Sequence, residues 1–200
     1  MRILVLISIV LVGSAFQKEP EFKGRIWYRH TFSSADNAAV VAFFGPGQWS
    51  YLGEGMYKVL DEQLRLKQLY TPSDNKFRVF HEGKMLATMD AGKRIAGEIQ
   101  LTALPDTATI LGYVCRAIRM EENGVETTYF YSPQLRVNPA LYKNHLLGGW
   151  NSYMQATNGG LTLRYIINDP KRHFRMVSQA TKIEPLALLP TDFSADPVKR

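Results

Sequence analysis

Leu111-Gly112-Tyr113-Val114-Cys115-Arg116-Ala117-Ile118-Arg119-Met120, then Glu121-Glu122-Asn123-Gly124, then Val125-Glu126-Thr127-Thr128-Tyr129-Phe130-Tyr131, is the stretch that decides the fold. Two β-favouring runs flank a polar tip. Asn-Gly tolerates the positive φ angles that a tight hairpin turn imposes, so the runs pair antiparallel.

The same punctuation recurs upstream. Residues 23–32 form a first strand, rich in Ile26, Trp27, Tyr28, Thr31 and Phe32. Ser33-Ser34-Ala35-Asp36 supplies helix-start chemistry for a short helix over 37–44, which Gly45-Pro46-Gly47 ends. Gln48 to Tyr51 leads into a turn at Gly53-Glu54-Gly55. Over 56–70 the apolar residues Val59, Leu60, Leu64, Leu66 and Leu69 partly fit a helix, yet Leu64-Arg65-Leu66-Lys67 alternates as a half-buried strand does. Strands are preferred there, because Thr71-Pro72-Ser73-Asp74-Asn75 follows as a turn. Residues 77–80 and 84–90 flank a hairpin tip at Glu82-Gly83.

Downstream, Asn138-Pro139 reads as an N-cap and first helical proline, opening a short helix through Leu147 that Gly148-Gly149 stops. Residues 150–156 and 161–167 flank Asn158-Gly159-Gly160 as a further hairpin. Asn168-Asp169-Pro170-Lys171 turns the chain into a last strand over 174–183. Strands joined by local turns make a mainly-β fold. The expected form is a curved antiparallel sheet or incomplete β-barrel with one to three short helices on its concave face. A β-sandwich is the competing architecture.

The chain divides into an export leader (1–15), a polar linker (16–22), a single β domain (23–193) and a flexible tail (194–200). The leader rests on Arg2, the apolar run from Ile3 to Val12, and the small residues Gly13-Ser14-Ala15. That run is roughly half the ~20 residues that a membrane-spanning helix needs. No Cys follows it, which argues against a lipid anchor, so the expected location is the periplasm, with secretion as the alternative. Hydrophobic residues at 46% and charged residues at 21% exclude wholesale disorder. The formal charge of +6 is spread along the chain and is densest at Lys171-Arg172-His173-Phe174-Arg175. Such a cluster suits phosphate or lipid headgroups, or merely a solvated turn. Export argues against nucleic acid as a partner.

Catalytic signatures are sparse. His30, His81, His145 and His173 lie far apart without metal-ligand spacing, so neither a metal nor a cofactor is expected. Ser50 sits in Gly47-Gln48-Trp49-Ser50-Tyr51-Leu52-Gly53, which is not a nucleophile elbow. Asp61-Glu62 and Glu121-Glu122 are adjacent pairs, explained by turns and alternating strand faces. Cys115 is the only cysteine, which leaves a buried thiol or an intermolecular disulfide as alternatives.

Aromatic residues are the stronger candidates for a site. Phe43, Phe44, Trp49 and Tyr51 bracket Gly45-Pro46-Gly47, while Trp150 and Tyr153 follow Gly148-Gly149. Rings beside glycines suit the wall of an apolar ligand cavity; ordinary packing of helix on sheet is the alternative.

Several segments in order resemble the exported proteins of Bacteroidetes-type bacteria grouped around the LolA/LolB-like lipoprotein-carrier fold. They are Gly24-Arg25-Ile26-Trp27-Tyr28, Thr109-Ile110-Leu111-Gly112-Tyr113-Val114-Cys115-Arg116-Ala117, Thr128-Tyr129-Phe130-Tyr131-Ser132-Pro133, Asn138-Pro139, Lys182-Ile183 and Pro190-Thr191-Asp192-Phe193. The resemblance implies helices plugging the concave side of an incomplete barrel over an apolar cavity, which in characterised carriers accepts lipoprotein acyl chains. It transfers no individual binding residue. The expected function is therefore non-enzymatic binding of a lipid, acyl chain or other hydrophobic ligand, presented as a small molecule or on an acylated protein. A peripheral contact with the envelope membrane is compatible with that role. An envelope assembly module with a packed core and a hydrolase are the alternatives.

Overall fold

Four X-Gly pairs bend the chain back on itself. Glu54-Gly55, Glu82-Gly83, Leu111-Gly112 and Asn123-Gly124 each combine two positive φ angles, for example 52° and 83° at Leu111-Gly112. This mirror-image turn matches the right-handed twist of the strands it joins. The computed structural model describes residues 21–35, 38–94 and 97–195. The expected leader, most of the linker and the last five tail residues lie outside the described residues.

In chain order the elements are β1 (Gly24–Ala35), α1 (Ala38–Phe44), β2 (Gly47–Gly53), β3 (Met56–Leu60), β4 (Leu66–Thr71), β5 (Lys76–His81) and β6 (Lys84–Asp90). They continue with β7 (Gln100–Ile110), β8 (Tyr113–Glu122), β9 (Val125–Arg136), α2 (Trp150–Ala156), β10 (Gly160–Asp169) and β11 (Phe174–Pro185). The eleven strands of the described residues join one sheet in the order β6-β5-β4-β3-β2-β1-β11-β10-β9-β8-β7. Each half of the chain meanders outward from the centre, where β1 pairs antiparallel with β11. The mainly-β, antiparallel, open-sheet expectation holds, and the sandwich does not.

Bulges curve the sheet. Extra residues shift the register: Thr181 on β11 opposite Trp27/Tyr28, Ser33 on β1, Lys67 on β4 opposite Val59/Leu60, and Leu163 on β10. Each bends its strand and increases the local twist. The two short helices enter the concave side from opposite rims, α1 from the β1–β2 connection and α2 from the β9–β10 connection. The larger core lies on that side and includes Ile26, Tyr28, Tyr57, Tyr70, Met154 and Leu163. A smaller cluster of Leu69, Phe80 and Phe193 forms where the chain after β11 crosses back over the N-terminal half.

Four expectations need correction. Residues 150–156 are helix rather than strand: Trp150, Tyr153 and Met154 share one face at helical spacing, and the latter two are buried. Asn158 and Gly159 cap this helix instead of turning a hairpin. Asn158 N–H donates to Gln155 O at 3.2 Å and Gly159 N–H to Met154 O at 2.8 Å. A Cβ on Gly159 would lie 2.0 Å from the Val137 carbonyl oxygen, so no side chain fits there. Second, the helix expected over 139–147 contracts to 3₁₀ turns at Pro139–Tyr142 and Leu147–Gly149, although Asn138 does cap the first of them. Third, Leu111-Gly112 is itself a turn, preceded by the strand β7 that the sequence reading left unassigned. Pro105 hid it; the proline is tolerated because β7 is an edge strand with a register shift between Leu104 and Thr107. Phe22, assigned above to the polar linker, is a core residue whose N–H donates to Arg136 O at 2.7 Å.

Candidate ligand cavity

Strand alternation decides what faces the concave side. On β2, Gln48, Ser50 and Leu52 point inward; on β1, Tyr28 does, with Tyr57 and Val59 on β3 and Tyr129 on β9. Phe43 and Phe44 approach from α1, and Trp150, Tyr153 and Met154 from the α2 side. Together they line a cavity of about 260 Å³ that is partly open to solvent. This lies just under the ~300–1,000 Å³ typical of clefts for drug-sized ligands.

The wall is built from rings locked by their polar tips. Tyr28 Oη donates to Thr162 O at 2.6 Å, and Tyr153 Oη reaches Gly160 O at 3.0 Å and Thr162 Oγ1 at 2.6 Å. Tyr57 Oη lies 2.9 Å from His145 Nε2. With their hydroxyls occupied, these residues offer the cavity mainly carbon. Ring–ring contacts fix them further: Tyr57 with Trp150 at 4.8 Å and Tyr129 with Tyr153 at 4.9 Å. Burial pushes the phenol of Tyr165, also on the wall, up to about 12, and holds those of Tyr57 and Tyr153 well above their ordinary value. None of these phenols ionises near neutral pH.

His30 and His145 support the wall from behind. Burial lowers both imidazoles to about 4, so each is neutral at physiological pH. Neutral His30 donates from Nδ1 to the Gly45 carbonyl at 3.0 Å, which pins the end of α1 to β1. Lys67, from β4, donates from Nζ to the Phe44 carbonyl at 2.8 Å and caps the same helix end. Cys115 is buried, and burial raises its thiol. Its sulfur is shut away from a second chain, which removes the intermolecular disulfide alternative.

Of the residues singled out from sequence, Phe43, Phe44, Trp150 and Tyr153 come together on the cavity wall. Trp49 and Tyr51 do not. They alternate with Ser50 and face the convex side, where Arg25 stacks 4.2 Å from Trp49 and 5.8 Å from Tyr51. Sequence reading missed Tyr28, Tyr57, Tyr129, Tyr165 and Lys67. The period-2 pattern of β1, with Ile26, Tyr28 and His30 inward, is the signal that finds the first of these.

No protein family model and no curated protein matches the sequence. Among solved structures, the chain is similar to PNGF-II in two crystal forms, with 14% identity in both. In the C2 space group the TM-score is 0.50, over 84% of this chain and 28% of that one. In P21 the TM-score is 0.51, over 84% and 29%. The protein thus spans under a third of the length of those chains, and the likeness is one of fold alone. A LolA superfamily protein, NE2245 from Nitrosomonas europaea, is also similar, at 11% identity over 88% of this chain and 91% of that one. Its TM-score is 0.38, too low to carry an argument.

Proposed function

We propose that the protein is a non-enzymatic binding protein that carries a hydrophobic ligand outside the cytoplasm. The observation that carries this reading is the cavity itself, walled by aromatic rings, of which Tyr28, Tyr57 and Tyr153 have their hydroxyls already engaged by the protein. Such a wall offers a guest little beyond apolar contact, worth ~25 cal/mol per Å² removed from water. The basic start and apolar run of residues 1–15 support export, and the segments that resemble the LolA/LolB-like carriers support a place in lipid or lipoprotein trafficking.

A second reading has one observation in its favour. A groove on the outer side of α1 brings His30 and His81 near Asp61, Glu62 and Glu82, the residue types of a hydrolytic site. Their commitments oppose it. Asp61 accepts from Arg65 Nε at 2.7 Å and from the N–H groups of Gln63 and Arg65. His30 is held by Gly45, and His81 and Glu82 stand exposed at the β5–β6 turn. An assembly module would have a filled interior, which the cavity opposes.

The experiment is native mass spectrometry of gently purified protein, joined to uptake of a fluorescent fatty acid. Bound lipid or saturable uptake is expected, and Ser50→Trp, which fills the cavity from β2, should abolish it while the far-ultraviolet circular dichroism stays unchanged. Neither lipid nor uptake in the unmodified protein would overturn the reading.

A further inference from the structure

The cavity wall has one charged side chain among the described residues, and it is a cation. Lys67 lines both the cavity and the groove outside α1, so its ammonium stands at the boundary between them, beside Phe43 and Phe44. Among the described residues no carboxylate and no arginine lines the cavity. Nζ lies 5.4 Å from the Phe43 ring centroid and donates one hydrogen bond, to the Phe44 carbonyl. An ammonium has three donors. The nearby carboxylate of Asp61 is engaged by Arg65 and two backbone N–H groups, and makes no ion pair with Lys67.

We infer that the ligand is a single alkyl chain ending in an anion, its tail among Tyr28, Tyr57, Trp150 and Tyr153 and its head on Lys67 Nζ. The inference rests on the carrier reading above and narrows it. A partly buried cation whose nearby anion, Asp61, is hydrogen-bonded instead to Arg65 and Gln63 carries a desolvation cost that an incoming carboxylate or phosphate offsets, through a short charge-assisted hydrogen bond. Burial indeed lowers the Lys67 ammonium from its ordinary value, with the charge of Asp61 opposing that shift. The volume of about 260 Å³ suits one chain rather than the several of a diacyl lipid or a lipoprotein. Neutral heads leave the ammonium unpaired, and cationic heads are repelled.

Calorimetric titration of the full chain with dodecanoate, dodecyl phosphate, dodecanol and dodecyltrimethylammonium tests this. Both anions should bind about tenfold or more tighter than the alcohol, the expected worth of one charge-assisted contact. The cation should bind weakest. Tighter binding of dodecanoate than of dodecyl phosphate assigns the head to a carboxylate, and the reverse to a phosphate. Lys67→Gln keeps a donor for Phe44 but removes the charge, and should collapse the preference for anions over the alcohol. Lys67→Arg should keep that preference, which separates loss of charge from loss of fold. Equal affinity for all four heads in the unmodified protein overturns the role of Lys67 and leaves the carrier reading standing. Failure of every chain to bind overturns the carrier reading itself.

Discussion

The two faces of β2 are made from alternate residues of seven consecutive positions, and they behave as different materials. Inward, Gln48, Ser50 and Leu52 help wall a cavity between the sheet and two short helices. Outward, Trp49 and Tyr51 belong to a cross-strand ladder of rings and cations. Arg25 and Glu184 pair across β1 and β11, Trp27 and Trp49 lie 5.3 Å apart, and Lys58 sits 4.9 Å from the Tyr51 ring. Beyond the ladder, Phe193 closes a small core against Leu69 and Phe80. The concave face thus encloses space, whereas the convex face is filled by local pairs and a returning C-terminal segment. Aromatic content alone does not tell these apart; strand register does.

The contrast breaks most sharply by truncating one buried residue on each face. Leu163 is fully buried in the concave core, shared by both halves of the sheet. Leu163→Ala should lower the unfolding free energy by about 4 kcal/mol as a single cooperative loss, seen in urea denaturation. Phe193→Ala should cost about 2 kcal/mol, because the terminal segment can release without unfolding the sheet. Hydrogen exchange should then speed up around 186–195 and on β3 and β4, leaving β9 and β10 protected. Equal, global effects of the two substitutions would mean that the faces form one cooperative core.

Acid should act on the concave side first. His30 and His145, both neutral and buried beneath its wall, have their ordinary value of 6.5 lowered to about 4 in the folded chain. The unfolded chain therefore binds protons more readily between these values. Stability is fully present above pH 6.5 and falls as the pH drops toward 4, by up to about 3 kcal/mol per histidine. Urea midpoints measured across that window should show the decline, and His145→Gln should remove about half of it. A flat profile would mean that the two rings are solvated in the folded state.

What the sequence discloses follows from how local its signals are. Hairpins at Glu54-Gly55, Glu82-Gly83 and Asn123-Gly124 are legible because a two-residue turn needs residues that accept positive φ. The helix at Trp150–Ala156 is not. Its seven residues are too few to display a helical period, and the capping pair Asn158-Gly159 has the composition of a hairpin turn. β7 is hidden for a similar reason, since Pro105-Asp106 reads as a turn until the strand is known to lie at the edge. For the site, proximity to glycine finds Phe43, Phe44, Trp150 and Tyr153. It also selects Trp49 and Tyr51, because a rule based on nearness ignores the face a strand residue occupies. Lys67 is illegible in sequence: its environment depends on α1 folding back over β4, a contact between segments 23 residues apart.

The smallest effect belongs to the convex ladder. Arg25 stacks on Trp49 at 4.2 Å, donates to Tyr51 Oη at 2.9 Å and pairs with Glu184 across the strand boundary. The hydrogen bond to Tyr51, and then the pairing with Glu184, hold its guanidinium above its ordinary value. All of them lie at a half-exposed surface, where solvent screens the ion pair and the stacking on Trp49 is the main loss. Arg25→Ala should cost about 1 kcal/mol, and part of that cost should persist in high salt, because the stem of the side chain packs on the ring. Ligand uptake should stay unchanged, since Arg25 and the cavity lie on opposite sides of β1. A matching loss of uptake would mean that the ladder sets the curvature of the sheet, coupling the two faces through the bulge opposite Trp27/Tyr28.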